Sequence, residues 1–252
     1  MRLDGKVSIV TGGAKGIGQG ISLRLAREGS RVVIAQRDPR TGKDTVRHIE
    51  EEGGAALFVP TDVSVKSQVD RLVEETLTCF NQIDVLVNNA AVTACYEPFL
   101  SLTPENWQRV IDVNLTGVFF CSQAVAKHMI KRGSGRIINI GSVGGLVPEK
   151  DAVHYCATKG GLVMLTKAMA LDLSPYGILV NAVHPGAIRT AQVDELMKGQ
   201  TSEEHLTTTG RIPLGRFGEV DEVASIVAFL ASDEASYFQG GSIVVDGGYL
   251  LT

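Results

Sequence analysis

Tyr155 and Lys159, four residues apart in the segment YCATK, are the residues of this chain whose types and spacing point most directly to chemistry. On a helix, residues four apart share one face. A phenol titrates near a pKa of about 10, too high for proton transfer at neutral pH. An ammonium beside it favours the phenolate and lowers that value. Such a pair could pass a proton to or from a substrate oxygen. Ser142 stands upstream in NIGSVGG, just after a β-branched run, where its hydroxyl could bond the reacting oxygen. Asn114, in IDVNLTG, falls inside a helical stretch, and asparagine is a poor helix former. Its position predicts a bend and a buried polar role, with an ordered water held there.

A second cluster is the glycine-rich run VSIVTGGAKGIGQG near the N-terminus. A strand ends at Thr11, a turn follows, and a helix begins near Gly16. Helix N-termini bind anions through free N–H groups and the macrodipole. Gly12 is expected to make the turn, and Gly16 and Gly18 to let a pyrophosphate approach the backbone. The spacing is G-x-x-x-G-x-G rather than the G-x-G-x-x-G of other dinucleotide folds. At the end of the second strand, in RVVIAQRDPR, an NAD-binding fold keeps an acid for the ribose 2′-hydroxyl. This chain has Gln36 and then Arg37. A guanidinium grips a 2′-phosphate by paired, charge-assisted hydrogen bonds, and Lys15 can reach the same group. NADP(H) is therefore expected over NAD(H). The alternative is a solvated Arg37 with Asp38 turned in towards the ribose.

These residues need elements to position them. Strands are expected at Lys6–Thr11, Arg31–Gln36, Ala55–Thr61, Ile83–Asn88, Arg136–Gly141, Leu179–His184 and Ser242–Asp246. Several are apolar without alternation, as in parallel sheets covered on both faces. Helices are expected at Gly16–Glu28, Arg40–Glu52, Val65–Phe80, Pro104–Lys131, Tyr155–Ser174 and Glu219–Ser232. The alternation implies βαβ units, and so an α/β fold with one doubly wound, mostly parallel seven-stranded sheet and helices on both faces. No linker or repeat divides the chain, so residues 1–252 are read as a single domain. The polar stretch 188–212, containing TSEEHLTTTG, is too long for a tight connection and is expected to form a lid.

Composition excludes other classes. The net charge of −4 comes with scattered Lys and Arg, and no basic stripe suits nucleic acid. No apolar run approaches the ~20 residues of a membrane span, and MRLDGKVSIV lacks the pattern of a secretory leader. The four cysteines, Cys79, Cys95, Cys121 and Cys156, read as free buried thiols. The histidines lack metal-ligand spacing, so no metal is expected. The setting implied is cytoplasmic, and His184 reads as a strand-end packing residue rather than a catalyst.

The combination of T11-G12-G13-A14-K15-G16-I17-G18, N88-N89-A90-A91, Ser142 and Tyr155-x-x-x-Lys159 resembles the short-chain dehydrogenase/reductase family, and the likeness runs through H184-P185-G186 to V245-D246-G247-G248. Ala91 departs from the glycine usual in that family. The resemblance implies a Rossmann-like fold and a reversible, NADP(H)-dependent reduction of a ketone to a secondary alcohol. In that scheme Tyr155 is general acid or base, and Lys159 binds the nicotinamide ribose and tunes Tyr155. Ser142 orients the carbonyl, and Asn114 holds a relay water. It further implies cofactor contacts at Gly12, Lys15, Gly16, Ile17, Gly18, Arg37, Asp62, Val63, Asn89, Ala90, Pro185, Gly186, Ile188 and Thr190, with Asp62 at the adenine. The substrate pocket is expected between Ala94–Tyr96, Gly144–Glu149, His154 and Ala191–Arg211. Leu146, Val147 and Met197 would be its apolar walls, and Glu149 and His205 its polar ones. A homotetramer is implied, through the helices at Pro104–Lys131 and Tyr155–Ser174 and the end of the chain, where Tyr249, Leu250 and Leu251 are apolar.

Two alternatives share this fold. One is a 3-oxoacyl-thioester reductase of fatty-acid synthesis, for which Arg132 would help dock a carrier protein. Tyr176, where a basic residue is common, speaks against it. The other is an NAD-dependent sugar or polyol dehydrogenase, opposed by Gln36-Arg37. A non-catalytic nucleotide-binding regulator would have no use for Ser142, Tyr155 and Lys159 together. A methyltransferase would want an acid at position 36.

Overall fold

All five residues of the first strand are buried, which explains why VSIVT does not alternate. In the computed structural model, which describes residues 1–93, 96–197 and 209–252, this strand lies within a sheet covered on both faces. Along the chain run β1 (Val7–Thr11), α1 (Gly16–Arg27), β2 (Arg31–Gln36), α2 (Pro39–Glu51), β3 (Ala56–Pro60), α3 (Lys66–Phe80) and β4 (Val85–Asn88). Then follow α4 (Pro104–Ile111), α5 (Gly117–Arg132), β5 (Gly135–Ile140), α6 (Val153–Leu173) and β6 (Ile178–Pro185). The chain continues with β7 (Ile188–Arg189), α7 (Ala191–Met197), β8 (Gly218–Glu219), α8 (Val220–Ala231) and β9 (Ser242–Val245).

The main sheet has seven strands in the order β3-β2-β1-β4-β5-β6-β9, and each pairing is parallel. Successive side chains on a strand face opposite sides, and two cores result. Val10, Val32, Ile34, Val85 and Ile138 pack under α1, α2 and α8, with Ile21, Leu25, Ile49 and Val227. Ile9, Val33, Leu86, Ile137 and Val180 pack under α3, α5 and α6, with Leu72, Val125, Met129 and Ala170. This is the doubly wound arrangement expected, and the expected strands are present with ends shifted by one or two residues. Strand order reverses between β1 and β4, and the crevice at their carboxyl ends is where such sheets bind ligands.

Two details depart from the sequence reading. The stretch expected as one helix, Pro104–Lys131, is α4 and α5 joined by a π-helical turn at Asp112–Thr116. The turn contains Asn114, so the predicted bend is a single widened turn. Within the expected lid, β7 pairs with β8 in a separate two-stranded sheet, and α7 follows. Positions 198–208 of the lid, with His205, and Ala94 and Cys95 of the expected pocket lie outside the described residues.

Candidate active site

The site begins where β1 and β4 end. Thr11 Oγ1 accepts hydrogen bonds from the backbone N–H groups of Asn89 and Ala90, each at 3.0 Å. Asn89 Nδ2 donates in return to the carbonyls of Thr11 at 3.0 Å and Gly12 at 3.2 Å. This stitch fixes the two strand ends against one another. Gly12 then turns the chain with φ +63, a conformation that L side chains rarely adopt. A Cβ on Gly18 would stand 2.2 Å from the Gly12 carbonyl oxygen and 2.4 Å from Asn89 Nδ2. Gly18 is therefore required by the packing of the turn itself, whatever it also leaves open for a ligand. Gly20 serves the fold, since a Cβ there would meet Val220 of α8 at 2.0 Å. α1 starts at Gly16 with no side-chain cap and no acid in its first turn. Its free N–H groups suit an anion.

A cleft of about 1680 Å³ opens over these strand ends. Of the residues expected at the cofactor, Gly12, Lys15, Gly16, Ile17, Gly18, Arg37, Asp62, Val63, Asn89, Ala90, Gly186, Ile188 and Thr190 line it, as do Ser142 and Tyr155. Pro185, Asn114 and Lys159 lie buried behind its wall.

At one end the cleft is polar and charged. Asp38 caps α2, its Oδ1 accepting from the Arg40 backbone N–H at 3.0 Å. That bond is the main reason its carboxyl lies below the usual range. Asp38 thus commits one carboxylate oxygen to the helix start, while its residue also borders the cleft. Lys15 Nζ lies 3.8 Å from Asp38, and Arg37 Nη1 lies 3.8 Å from Asp62. Both cations are largely exposed, and neither is bound tightly by its carboxylate partner. Asp62 closes its own turn, accepting from Ser64 N at 3.0 Å and Ser64 Oγ at 2.6 Å.

At the other end stand Ser142, Tyr155 and Lys159. Ser142 follows β5, and its Oγ accepts from the Gly144 N–H at 3.1 Å. Burial drives the Tyr155 phenol up to about 12, opposed by a hydrogen bond with the Ser142 hydroxyl. Lys159 is one helical turn further along α6, its Nζ 5.6 Å from the Tyr155 ring centroid. That ammonium donates to the Ile140 carbonyl at 2.8 Å, and burial lowers its pKa to about 8. In the free protein, desolvation of the ring outweighs any lowering of the phenol pKa by Lys159. An ammonium carries three N–H donors, and Ile140 takes one. Those left over fit the hydroxyls of a ribose at this end of the cleft, and the uncapped start of α1 fits phosphate.

Asn114 is 1% exposed, and both the oxygen and the nitrogen of its amide are hydrogen-bonded. Its Oδ1 accepts from Val92 N at 2.7 Å, and Nδ2 donates to Val92 O at 3.1 Å and Thr158 Oγ1 at 3.4 Å. It ties the loop after β4 to the π turn and to α6. His184 is buried, with one ring nitrogen 3.3 Å from the Ser142 carbonyl and the other 3.2 Å from Ser242 Oγ, as a packing residue would be. His154, expected at the pocket, is fully buried instead.

Sequence reasoning missed Thr158, the partner of Asn114, and Asn139. Fully buried in β5, Asn139 accepts from Asn88 Nδ2 at 2.9 Å and donates to Thr166 Oγ1 at 2.9 Å. An amide within the apolar run RIINI was the available signal. Among the other expectations, Cys121 is buried, but Cys79 is exposed, because it lies on the outer side of α3. Among the described residues no cluster of His, Cys, Asp and Glu gathers to hold a metal ion. Arg132 pairs with Asp84 at 3.1 Å, and Asp84 in turn accepts from Val7 N at the start of β1. Arg132 is therefore at the amino edge of the sheet, opposite the cleft.

A family model described as enoyl-(acyl carrier protein) reductase matches residues 12–250. A 3-oxoacyl-[acyl-carrier-protein] reductase of Synechocystis sp. is 42% identical over 99% of this chain and 98% of its own length. Glucose 1-dehydrogenase 2 of Bacillus subtilis is 39% identical over 99% of this chain and 96% of its own. A solved gluconate 5-dehydrogenase from Burkholderia cenocepacia J2315, in complex with NADP and tartrate, superposes with a TM-score of 0.93 at 36% identity. That superposition covers 100% of this chain and 97% of the other.

Proposed function

Because the chain belongs to the short-chain dehydrogenase/reductase family, and is an oxidoreductase of that family, we propose that it reduces a ketone to a secondary alcohol with NADP(H), reversibly, as one catalytic domain spanning residues 1–252. The observation that carries this reading is the meeting of Ser142 and Tyr155 in the cleft, with Lys159 buried directly behind Tyr155.

The dinucleotide would lie along the carboxyl ends of β1, β2 and β4, and its nicotinamide supplies the hydride. The first turn of α1, with Gly16 and Ile17, would take the pyrophosphate, and Val63 and Asp62 would flank the adenine. Gly186, Ile188 and Thr190 would border the nicotinamide amide, with Pro185 fixing the strand end behind them. In reduction, Tyr155 donates its phenolic proton to the substrate oxygen. A phenol at about 12 stays protonated at neutral pH, which suits the acid role. Ser142, already bonded to that phenol, holds the carbonyl oxygen in line with it. In oxidation Tyr155 must lose its proton first, and the Lys159 ammonium is the charge that favours this. Asn114 fixes the Val92 loop and Thr158, and would hold a relay water through its main chain, since its amide is engaged.

Preference for NADP(H) is supported by Lys15 and Arg37 at the polar end and by the commitment of Asp38 to capping α2. The solved neighbour that holds NADP points the same way. The acyl-thioester reading has the family model and the Synechocystis relative in its favour. Arg132, at the far edge of the sheet, gives it no docking residue. The test is nucleotide oxidation over a panel of ketones with NADPH beside NADH, in wild type and Arg37→Asp. Wild type should favour NADPH and the variant NADH. An unchanged preference would mean the 2′-phosphate is held elsewhere.

A homotetramer in the cytoplasm completes the proposal. Met164 and Leu171 on α6 and Phe119 on α5 leave apolar side chains exposed, as a buried interface between copies requires. Among the described residues no helix is long and apolar enough to cross a membrane. Light scattering of Leu171→Glu should report smaller assemblies than wild type.

A further inference from the structure

Glu149 is a half-buried carboxylate inside the cleft, and the mechanism above does not use it. The loop that carries it is fixed at two points. Its own N–H donates to Cys156 Sγ at 3.4 Å, and Glu97 N donates to the Asp151 carbonyl at 2.6 Å. Its side chain occupies the space that glycine leaves at position 144. A Cβ there would stand 2.5 Å from Glu149 Oε1 and 3.4 Å from Tyr155 Cε1, the ring carbon adjacent to the one bearing the hydroxyl. The carboxylate and the reactive end of Tyr155 thus flank one point. Among the described residues Glu149 has no hydrogen-bond or ion-pair partner for its carboxylate. Burial alone raises its pKa, and its charge in turn raises that of Tyr155. A partly desolvated, unpaired carboxylate is unfavourable, and a substrate that donates a hydrogen bond to it relieves that penalty.

We propose that Glu149 determines specificity at this site: its carboxylate accepts a hydrogen bond from a hydroxyl on the carbon next to the reacting carbonyl, so that the preferred substrates are α-hydroxy ketones and the corresponding vicinal diols. The inference rests on the ketone-reductase reading. A cationic donor is disfavoured because Lys150 and Arg211 line the same cleft. A 3-oxoacyl thioester is disfavoured too, since its second carbonyl is an acceptor and would face the carboxylate without a proton to share.

The test compares 2-hydroxycyclohexanone with cyclohexanone, and adds the acetoacetyl thioester of N-acetylcysteamine, in wild type, Glu149→Gln and Glu149→Leu. Removing the charge of Glu149 also changes the Tyr155 proton affinity, but that effect is common to the substrates and cancels in their ratio. Wild type should favour the hydroxy ketone by at least about tenfold in kcat/KM, as a hydrogen bond to a charged group implies. Glu149→Leu should remove most of that ratio, with Glu149→Gln in between. Equal use of the two ketones by wild type, a ratio unmoved in Glu149→Leu, or a preference for the thioester would overturn the inference and leave the reductase reading intact. Failure of wild type to reduce any of the three with either nucleotide would overturn the reductase reading, and the inference with it.

Discussion

Replacing Gly18 by alanine tests how the nucleotide end of the cleft is built. The added methyl would lie 2.2 Å from the Gly12 carbonyl oxygen, 2.4 Å from Asn89 Nδ2 and 2.9 Å from the Gly12 carbonyl carbon. Two of these atoms are backbone of the Gly12 turn, and the third belongs to the amide that stitches β1 to β4. None is a flexible side-chain end, so the turn and α1 must separate. Overpacking of this kind costs about 1–3 kcal/mol. For a chain of this length each kcal/mol shifts Tm by roughly 2–4 °C, which gives a fall of about 2–12 °C. The atoms displaced line the cleft, so the dissociation constant for NADPH should rise as well. Gly20→Ala is the control, because its methyl would meet Val220 Cγ1 on α8 at 2.0 Å, on the side of α1 facing the core. Both variants should melt earlier by scanning calorimetry. Only Gly18→Ala should lose nucleotide affinity by titration calorimetry. Equal losses of affinity, or an unchanged Tm for Gly18→Ala, would refute the packing argument.

Two further predictions concern titration. For alcohol oxidation, kcat/KM should rise about tenfold per pH unit below pH 8, because Tyr155 at about 12 must ionise. It should level near pH 8, where Lys159 loses its charge; a flat profile from pH 6 to 8 would contradict a phenol kept protonated by burial. Glu28 is held at about 2, against an ordinary 4.5, chiefly by its bond to Arg2 at 2.5 Å. A depressed carboxyl stabilises the fold above its ordinary range and ceases to as pH falls through the folded value. Arg2→Met should therefore lower the unfolding free energy from urea titration at pH 7 by up to about 1 kcal/mol for a partly exposed pair. The difference from wild type should close towards pH 2.

The strands and the doubly wound arrangement were legible because apolar runs separated by amphipathic stretches admit few topologies; the order of the strands came from the structure. The Ser142, Tyr155 and Lys159 set was legible because a helical spacing of four brings two of them onto one face. What escaped the sequence depends on contacts between distant segments. The π turn at Asp112–Thr116 comes with the Asn114 amide reaching Val92 and Thr158, and no local propensity encodes that pairing. The packing demand on Gly18 could not be read from spacing, since only the folded turn brings the Gly12 carbonyl against it. Proximity of Tyr155 to Lys159 can be read from sequence, while the desolvation of a buried ring cannot.

The most direct test of the central claim is Tyr155→Phe, which removes the phenolic proton and little else. Nucleotide binding should remain near that of wild type by titration calorimetry, while single-turnover oxidation of bound NADPH by a ketone slows at least about a hundredfold, the scale of a lost general acid. Turnover at the wild-type rate in that variant would contradict the assignment of proton transfer to Tyr155.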